Sequence, residues 1–421
     1  MISHLLKLIK KRFGSNLWIL SEMLIVFMIL WFMTDYFLMQ GVQANRPVGF
    51  KVDNVYRVMV ALRPSNSNSF IAYEEGSKEP RENYRRLVDL IKRHPDVEAV
   101  SISCFSIPYD NSNMGNGVRR DSIRVNVREF LVSPDYFLVF GIRPVSGGKS
   151  EDLAERLTEK GMISAGLAQT LFGHTDVVGE EFFVSDDTVT TRVSAVTEYI
   201  RGDEFDRRNS NSTFSRLDLN TYEDGEASEM DFKDFELCFR TRPGVDGGPG
   251  YAERFLKEMK QQLQVGNYWV SDVYSYEQIR TNYLESTMET TGRKLFSVLG
   301  TFFLVNVFLA VIGTFWFHVI RRRSELGLRM AVGSQRRGIL RMMIGEGLLL
   351  MTLAAVPALI IFFNLAYLDV FSTQVMPMTF LRFLSVTLLT WVILALVIML
   401  ATWYPARKAS RLAPADALHY E

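Results

Sequence analysis

The chain has 421 residues; 47 basic side chains balance 47 acidic ones, and 48% of residues are apolar. The neutral average conceals a segregation: residues 41–293 hold 31 Lys and Arg against 40 Asp and Glu, whereas the first 16 residues, residues 321–341 and the tail after Tyr404 together hold 14 basic and 3 acidic ones. Basic charge split among short segments beside long apolar runs excludes a simple soluble globule and a disordered chain, and argues against a nucleic-acid binder.

After a basic N-terminus (1–16), the first apolar run, Leu17 to Met39, is interrupted only by Glu22 and Asp35 and predicts a span over 17–40. Lys10-Lys11-Arg12 before it and Val42-Gln43-Ala44 after it also resemble a cleaved leader, but a leader's apolar core has only about 7–15 residues. A retained anchor is therefore expected.

Residues 41–293 read as a mixed α/β domain. Val55–Val60 alternates like a strand, and Tyr84, Leu87, Val88 and Ile91 make one helical face within Glu82–Arg93. Further helices are expected over Asp152–Lys160, Ser164–Phe172 and Tyr251–Gln264, and strands over Val97–Phe105, Thr188–Val196, Phe235–Arg240 and Tyr268–Tyr274. The Gly/Asp/Asn/Ser-rich stretches 109–121, 201–231 and 243–250 read as loops, and 277–293 as a helical stalk.

Little in this domain points to catalysis. Gly147-Gly148-Lys149-Ser150 resembles the end of a phosphate-binding loop, but Arg143 stands where its first Gly belongs. The five histidines, at 4, 94, 174, 318 and 419, have no metal-ligand spacing and read as scattered surface residues. Asp186-Asp187 and Asp203-Glu204-Asp206 read as solvated loop acids. Cys104 and Cys238 are equally consistent with a disulfide and with two free thiols.

Three more runs follow: Leu295–Ile320, about Ile344–Phe363 with Glu346 inside it, and Phe383–Tyr404. Each reaches the roughly 20 residues a helix needs to cross a hydrocarbon core of about 30 Å. In lipid only a helix satisfies its own backbone, so spans are expected at 294–320, 344–364 and 381–404, with an outer loop at 365–380. Lys7, Lys10, Lys11 and Arg12, the arginines of 321–343, and Arg407, Lys408 and Arg411 in the 405–421 tail then share one side, expected to be the cytoplasm. Glu22, Asp35, Glu346 and Arg382 sit near span ends, where snorkelling is expected.

The most informative stretch is Arg321–Leu350. Glu325–Val332 has helical composition, Gly333 is placed to end it in a left-handed cap, and Ser334 to cap the next helix. Leu326 and Met330 give an apolar face beside a Glu325–Arg329 pair, which suits either a basic loop at the lipid headgroups or a docking element.

Arg322, Glu325, Leu326, Gly327, Leu328, Arg329, Ala331, Val332, Gly333, Ile339 and Leu340 follow the pattern R-x-x-E-I-G-L-R-R-A-L-G-A-x-x-x-x-I-L, and Pro405-Ala406-Arg407 through Leu418 a matching ending. The stretch resembles the coupling segment of MacB-like (FtsX-like, type VII) ABC transporter permeases. Val132–Phe137 with Phe140-Gly141-Ile142, and Ile163-Ser164 through Gly173, are similar to that family's periplasmic core domain. The resemblance implies four transmembrane helices, with the mixed α/β extracytoplasmic domain inserted between helices 1 and 2. It implies ATPase coupling at Arg322, Glu325, Leu326, Gly327, Leu328, Arg329 and Gly333. The partners it implies are a cytoplasmic ABC ATPase dimer holding ATP and Mg, and a second copy or a paralogous permease; it leaves room for an outer-membrane or periplasmic partner. The macrolide exporters' own ATPase domain has no counterpart in these residues, so a permease-only form without enzymatic activity or cofactor is expected in the bacterial cytoplasmic membrane. Export or extraction of a peptide, drug, lipid or lipoprotein is the implied function. Alternatives are regulation of an extracytoplasmic cell-wall hydrolase, as in some FtsX-like proteins, and sensing of peptides.

Overall fold

Strands of alternating character pair into one sheet that two layers of helices cover, and separate long apolar helices complete the chain. The computed structural model describes residues 13–74, 76–110, 112, 114–184, 190–204, 211–219, 232, 235–245, 248, 250–287, 289–321, 328, 332–368, 370–371 and 376–409. The chain divides into two units, one of residues 46–290 and one of residues 1–45 with 291–421.

The first unit runs β1 (Val55–Leu62), α2 (Glu79–Lys92), β2 (Val97–Cys104), β3 (Met114–Arg120), β4 (Ile123–Val132), α3 (Tyr136–Phe140), α4 (Ser150–Arg156), β5 (Met162–Ser164), α5 (Ala165–Phe172), β6 (Glu181–Val184), β7 (Thr190–Arg192), β8 (Ala195–Thr197), β9 (Ser212–Arg216), β10 (Glu236–Thr241), α6 (Tyr251–Met259), β11 (Gln264–Val265), β12 (Tyr268–Ser275) and α7 (Tyr276–Ser286). The label α1 is kept for the preceding helix, Phe13–Ala44. The strands follow the order β11-β12-β1-β10-β2-β4-β3-β6-β7, with β9, β5 and β8 branching from β4.

The two-residue period of a strand sorts side chains between the faces. On β10, Leu237 and Phe239 join the core under α2 and α6, where Tyr84, Leu87 and Phe255 lie. Cys238 between them faces the opposite core, with Tyr136, Phe137 and Phe140 of α3 and Tyr276 of α7. A third core, around Ile163, Leu167, Leu171 and Phe182, supports the β3–β8 lobe.

Several boundaries differ from expectation. Residues 114–120 are not loop: β3 pairs with β4 from Met114↔Glu129 to Arg120↔Ile123, a partner whose Ile123, Val125 and Val127 carry the strand preference that the glycines of β3 lack. The helix expected to run to Gln264 stops at Met259, freeing Gln264 and Val265 to pair with β12. The helix expected over 152–160 is α4, ending at Arg156. The strand expected over 188–196 is broken into β7 and β8. The stalk is interrupted too: at its C-cap, Thr287 donates through both its amide and its hydroxyl to Tyr283 O, a side-chain bond that competes with helix continuation.

The second unit contains α1, α8 (Glu289–Arg321), α9 (Arg336–Tyr367) and α10 (Phe380–Ala409). All four are long and apolar enough to cross a membrane, over Leu17–Ala44, Lys294–Thr314, Arg337–Tyr367 and Phe380–Ala401. Trp31 of α1 is fully buried among them: it stacks on Phe362 at 4.1 Å, lies 5.5 Å from Phe383, and donates Nε1–H to Thr387 Oγ1 at 3.1 Å. The helix α8 meets α1 through Tyr36–Phe296, at 4.7 Å, and leaves Leu295, Phe302 and Leu309 exposed for lipid or another chain to cover.

Candidate functional site

Between α8 and α9 the described residues form a bare turn. Val332 N donates to Leu328 O at 3.0 Å, one helical turn, and Gly333 follows at φ 98°, the left-handed conformation expected of it. Leu328 and Val332, four residues apart and therefore on one face, are 57% and 81% exposed. The N-cap of α9 is Gln335 rather than Ser334: its extended backbone presents the carbonyl that accepts from Gly338 and Ile339. Of the residues expected to couple to an ATPase, Leu328 and Gly333 are placed here, whereas Arg322, Glu325, Leu326, Gly327 and Arg329 lie outside the described residues.

Of the four charges for which snorkelling is expected, Asp35, Glu346 and Arg382 are instead buried. Asp35 and Arg382, 6% and 3% exposed, form a two-pronged pair in which Nε donates to Oδ1 at 2.9 Å and Nη2 to Oδ2 at 2.7 Å. Arg382 Nη1 also donates to Met376 O at 2.5 Å, so α1, α10 and the residues before α10 meet at one guanidinium. Glu22 accepts from Thr314 of α8 at 2.9 Å, and Glu346 is buried. Burial between helices satisfies Asp35 and Arg382 without their reaching for an interface, which is how intramembrane charge usually persists.

In the α/β domain the phosphate-loop-like turn serves as a helix cap: Lys149 N already donates to Asp152 Oδ2 at 2.8 Å. His94 is a buried residue, not a surface one; it closes α2 with its ring edge against Phe255. Asp203 is likewise buried and accepts from Tyr283 OH, while Glu204 accepts from Tyr109 OH and Arg280 Nε, so neither is a solvated loop acid. Asp186, Asp187 and Asp206 lie outside the described residues. Among the described residues no group of His, Cys, Asp and Glu is arranged to hold a metal. Cys104 and Cys238 are not joined in a disulfide. They occupy opposite faces of the sheet, Cys238 in the α3 core and Cys104 against the α2 core, and burial pushes the Cys238 thiol up to about 12.

Glu236 is a buried carboxylate that accepts from Ser103 Oγ at 2.8 Å and Ser106 N at 2.9 Å. Burial nevertheless raises its pKa, against the two hydrogen bonds and Arg57. A carboxyl raised in the folded state stabilises the fold fully below its unfolded value of about 4.3 and loses that contribution as pH rises through the folded value. The melting temperature of wild type minus that of Glu236→Gln should therefore fall as pH is raised from about 4. A difference independent of pH would refute the assignment.

A multi-pass membrane protein with an α/β domain between its first and second spans is the class that this architecture defines. A model of the MacB-like periplasmic core domain matches residues 31–247, and one of the FtsX-like permease C-terminal region matches residues 297–414. The chain belongs to the MacB-like, or FtsX-like, family of ABC transporter permeases. It is 27% identical over 296 residues to the macrolide export ATP-binding/permease protein MacB of Burkholderia cenocepacia, covering 68% of this chain and 40% of that protein. It is 26% identical over 339 residues to a probable syringafactin export ATP-binding/permease protein of Pseudomonas syringae pv. syringae, covering 77% and 48%. The chain thus spans less than half the length of these curated relatives. The periplasmic region of MacB from Actinobacillus actinomycetemcomitans superposes with a TM-score of 0.34 at 9% identity, covering 55% of this chain and 93% of that one. The extracellular domain of the transporter YknZ superposes with a TM-score of 0.30 at 14% identity, covering 52% and 100%. The assignment rests on the family models, not on these superpositions.

Proposed function

We propose that the chain is the membrane subunit of an ABC exporter that takes its energy from ATP hydrolysed with Mg in a partner ATPase dimer. ATP-driven closure of that dimer displaces the 321–343 segment, and the spans and α7 pass the displacement to the α/β domain, which acts on substrate outside the membrane. Such mechanotransmission moves packed elements rather than opening a polar path through the bilayer. The observation that supports it most directly is the turn at Leu328–Gly333: two exposed apolar side chains on one face, closed by a left-handed glycine, between two spans. Arg322, Glu325, Leu326, Gly327 and Arg329 complete the docking surface in this reading, and a second copy or a paralogous permease completes the complex. The relatives' names, one for macrolides and one for syringafactin, suggest a molecule of either kind as substrate. Both termini and the 321–343 segment face the cytoplasm, because the basic clusters share that side.

Purification of the full-length chain from its native membrane is expected to bring down an ABC ATPase whose hydrolysis in lipid vesicles rises when the chain is present. Recovery without any ATPase sinks the exporter reading. Orientation is checked by single cysteines at the exposed Ser122 and Ser334 in a Cys104→Ser, Cys238→Ala background. An impermeant maleimide, with any outer membrane permeabilised, should label position 122 and spare 334 in intact cells; the reverse pattern inverts the topology.

A further inference from the structure

Residues 46–50 lead into the α/β domain, and α7 leads out of it toward α8. The two segments meet the sheet at the same end of adjacent strands, since Tyr56 of β1 pairs with Ser275 of β12. A single loop, 199–204, holds both. Its Arg201 donates from the backbone amide to Val48 O at 3.0 Å and from Nη2 to Arg46 O at 2.6 Å. Gly49 lies so close, at φ 84°, that a Cβ there would stand 1.9 Å from Tyr199 O. Two residues further along, the loop grips α7: Asp203 Oδ2 accepts from Tyr283 OH at 3.1 Å, and Glu204 Oε1 accepts from Arg280 Nε at 2.7 Å.

Tyr109 closes the arrangement from a third segment. Its ring stands edge-on to Phe50 of the leading segment at 5.6 Å and to Tyr283 of α7 at 5.9 Å. Its amide donates to Gly202 O at 3.2 Å and its hydroxyl to Glu204 Oε1 at 2.8 Å. The backbone of Tyr109 is left-handed, φ 57°, which a residue with a bulky side chain holds only where its surroundings over-determine it. One side chain therefore touches the leading segment, the loop and the trailing helix together.

We infer that Tyr109, Glu204 and Arg280 form a lock that fastens residues 46–50 to α7, so that the two segments joining the domain to its spans move as one body. The inference rests on the exporter reading for its purpose: with the lock closed, a push on α7 moves the domain, whereas with it open the push is spent stretching a loop. Tyr109 and Glu204 are positioning residues for that step.

Hydrogen exchange of the full-length chain in lipid nanodiscs tests the lock without any partner. Arg280 is partly exposed and touches no residue of the leading segment in the bonds above, so Arg280→Ala should fold. It should nevertheless quicken exchange of residues 46–50 as well as 276–286 by about five-fold, the loosening expected from losing an ion pair whose arginine is half exposed. Glu204→Gln should do the same, and Tyr109→Phe, which keeps the ring, should quicken both segments by about two-fold. Quickened exchange confined to 276–286 in all three variants overturns the lock. With the co-purified ATPase added, wild type should show an ATP-dependent exchange change in residues 55–104. Arg280→Ala should lose that change while ATP hydrolysis stays within about two-fold of wild type. If the variant keeps it, the lock has no part in transmission. If wild type shows none, the exporter reading fails, and the partner-free measurement still decides the lock.

Discussion

Replacing Asp35 by leucine should destabilise the helical unit more than any other single change at a charged residue of the spans. The substitution leaves the Arg382 guanidinium, 3% exposed, with Met376 O but without the carboxylate that takes two of its hydrogen bonds. Removing one partner of a buried pair costs about 3–5 kcal/mol, because the charge left behind keeps its desolvation cost and loses the attraction that offset it. Replacing both partners by leucine should recover most of that loss, since two apolar side chains carry no desolvation penalty. Thermal unfolding of the purified full-length chain in nanodiscs measures both, and the double variant should melt well above the single Asp35→Leu. Equal melting of wild type and Asp35→Leu would show that Arg382 finds another partner and that the pair does not fasten α1 to α10.

The second large effect falls on binding rather than stability. Leu328 is more than half exposed, so Leu328→Asp should change the melting temperature little, within about 0.5 kcal/mol in stability. If the turn docks into an ATPase, the same change places a carboxylate where an apolar anchor belongs and should weaken binding at least about ten-fold, as loss of a central interface residue does. Gly333→Val acts by another route. At φ 98° a β-branched residue is strained, and relief of that strain redirects the chain entering α9. ATPase pull-down and stimulated hydrolysis in lipid vesicles should fall for both variants while insertion survives. Wild-type binding by Leu328→Asp and Gly333→Val together would reduce the segment to a positive-inside loop.

The spans were legible because an apolar run of that length with so few charges has few other readings, and Gly333 because a glycine after a helical stretch is itself a local signal. The Asp35–Arg382 pair was not legible. Its members are separated by 347 positions, and nearness to a span's end in sequence says nothing about which helix lies alongside. Strand β3 was hidden by its own composition, since Met114-Gly115-Asn116-Gly117 reads as a turn until β4 is laid beside it. Tyr109, Glu204 and Arg280 illustrate the same limit within the α/β domain: each is an ordinary loop or helix residue, and only the packing of three remote segments makes them neighbours. Local chemistry reveals elements and caps; the meetings that hold elements together are properties of topology.

The placement of the two thiols has a practical consequence for handling the α/β domain. Cys104 and Cys238 lie on opposite faces of the same sheet, so the sheet itself stands between them and no rearrangement short of unfolding brings them into contact. Because no bond joins these two thiols, reductant in a purification buffer should leave the melting temperature of the domain unchanged. An oxidant should likewise fail to cross-link Cys104 to Cys238 within one folded chain, so any dimer formed under oxidation reports contact between chains.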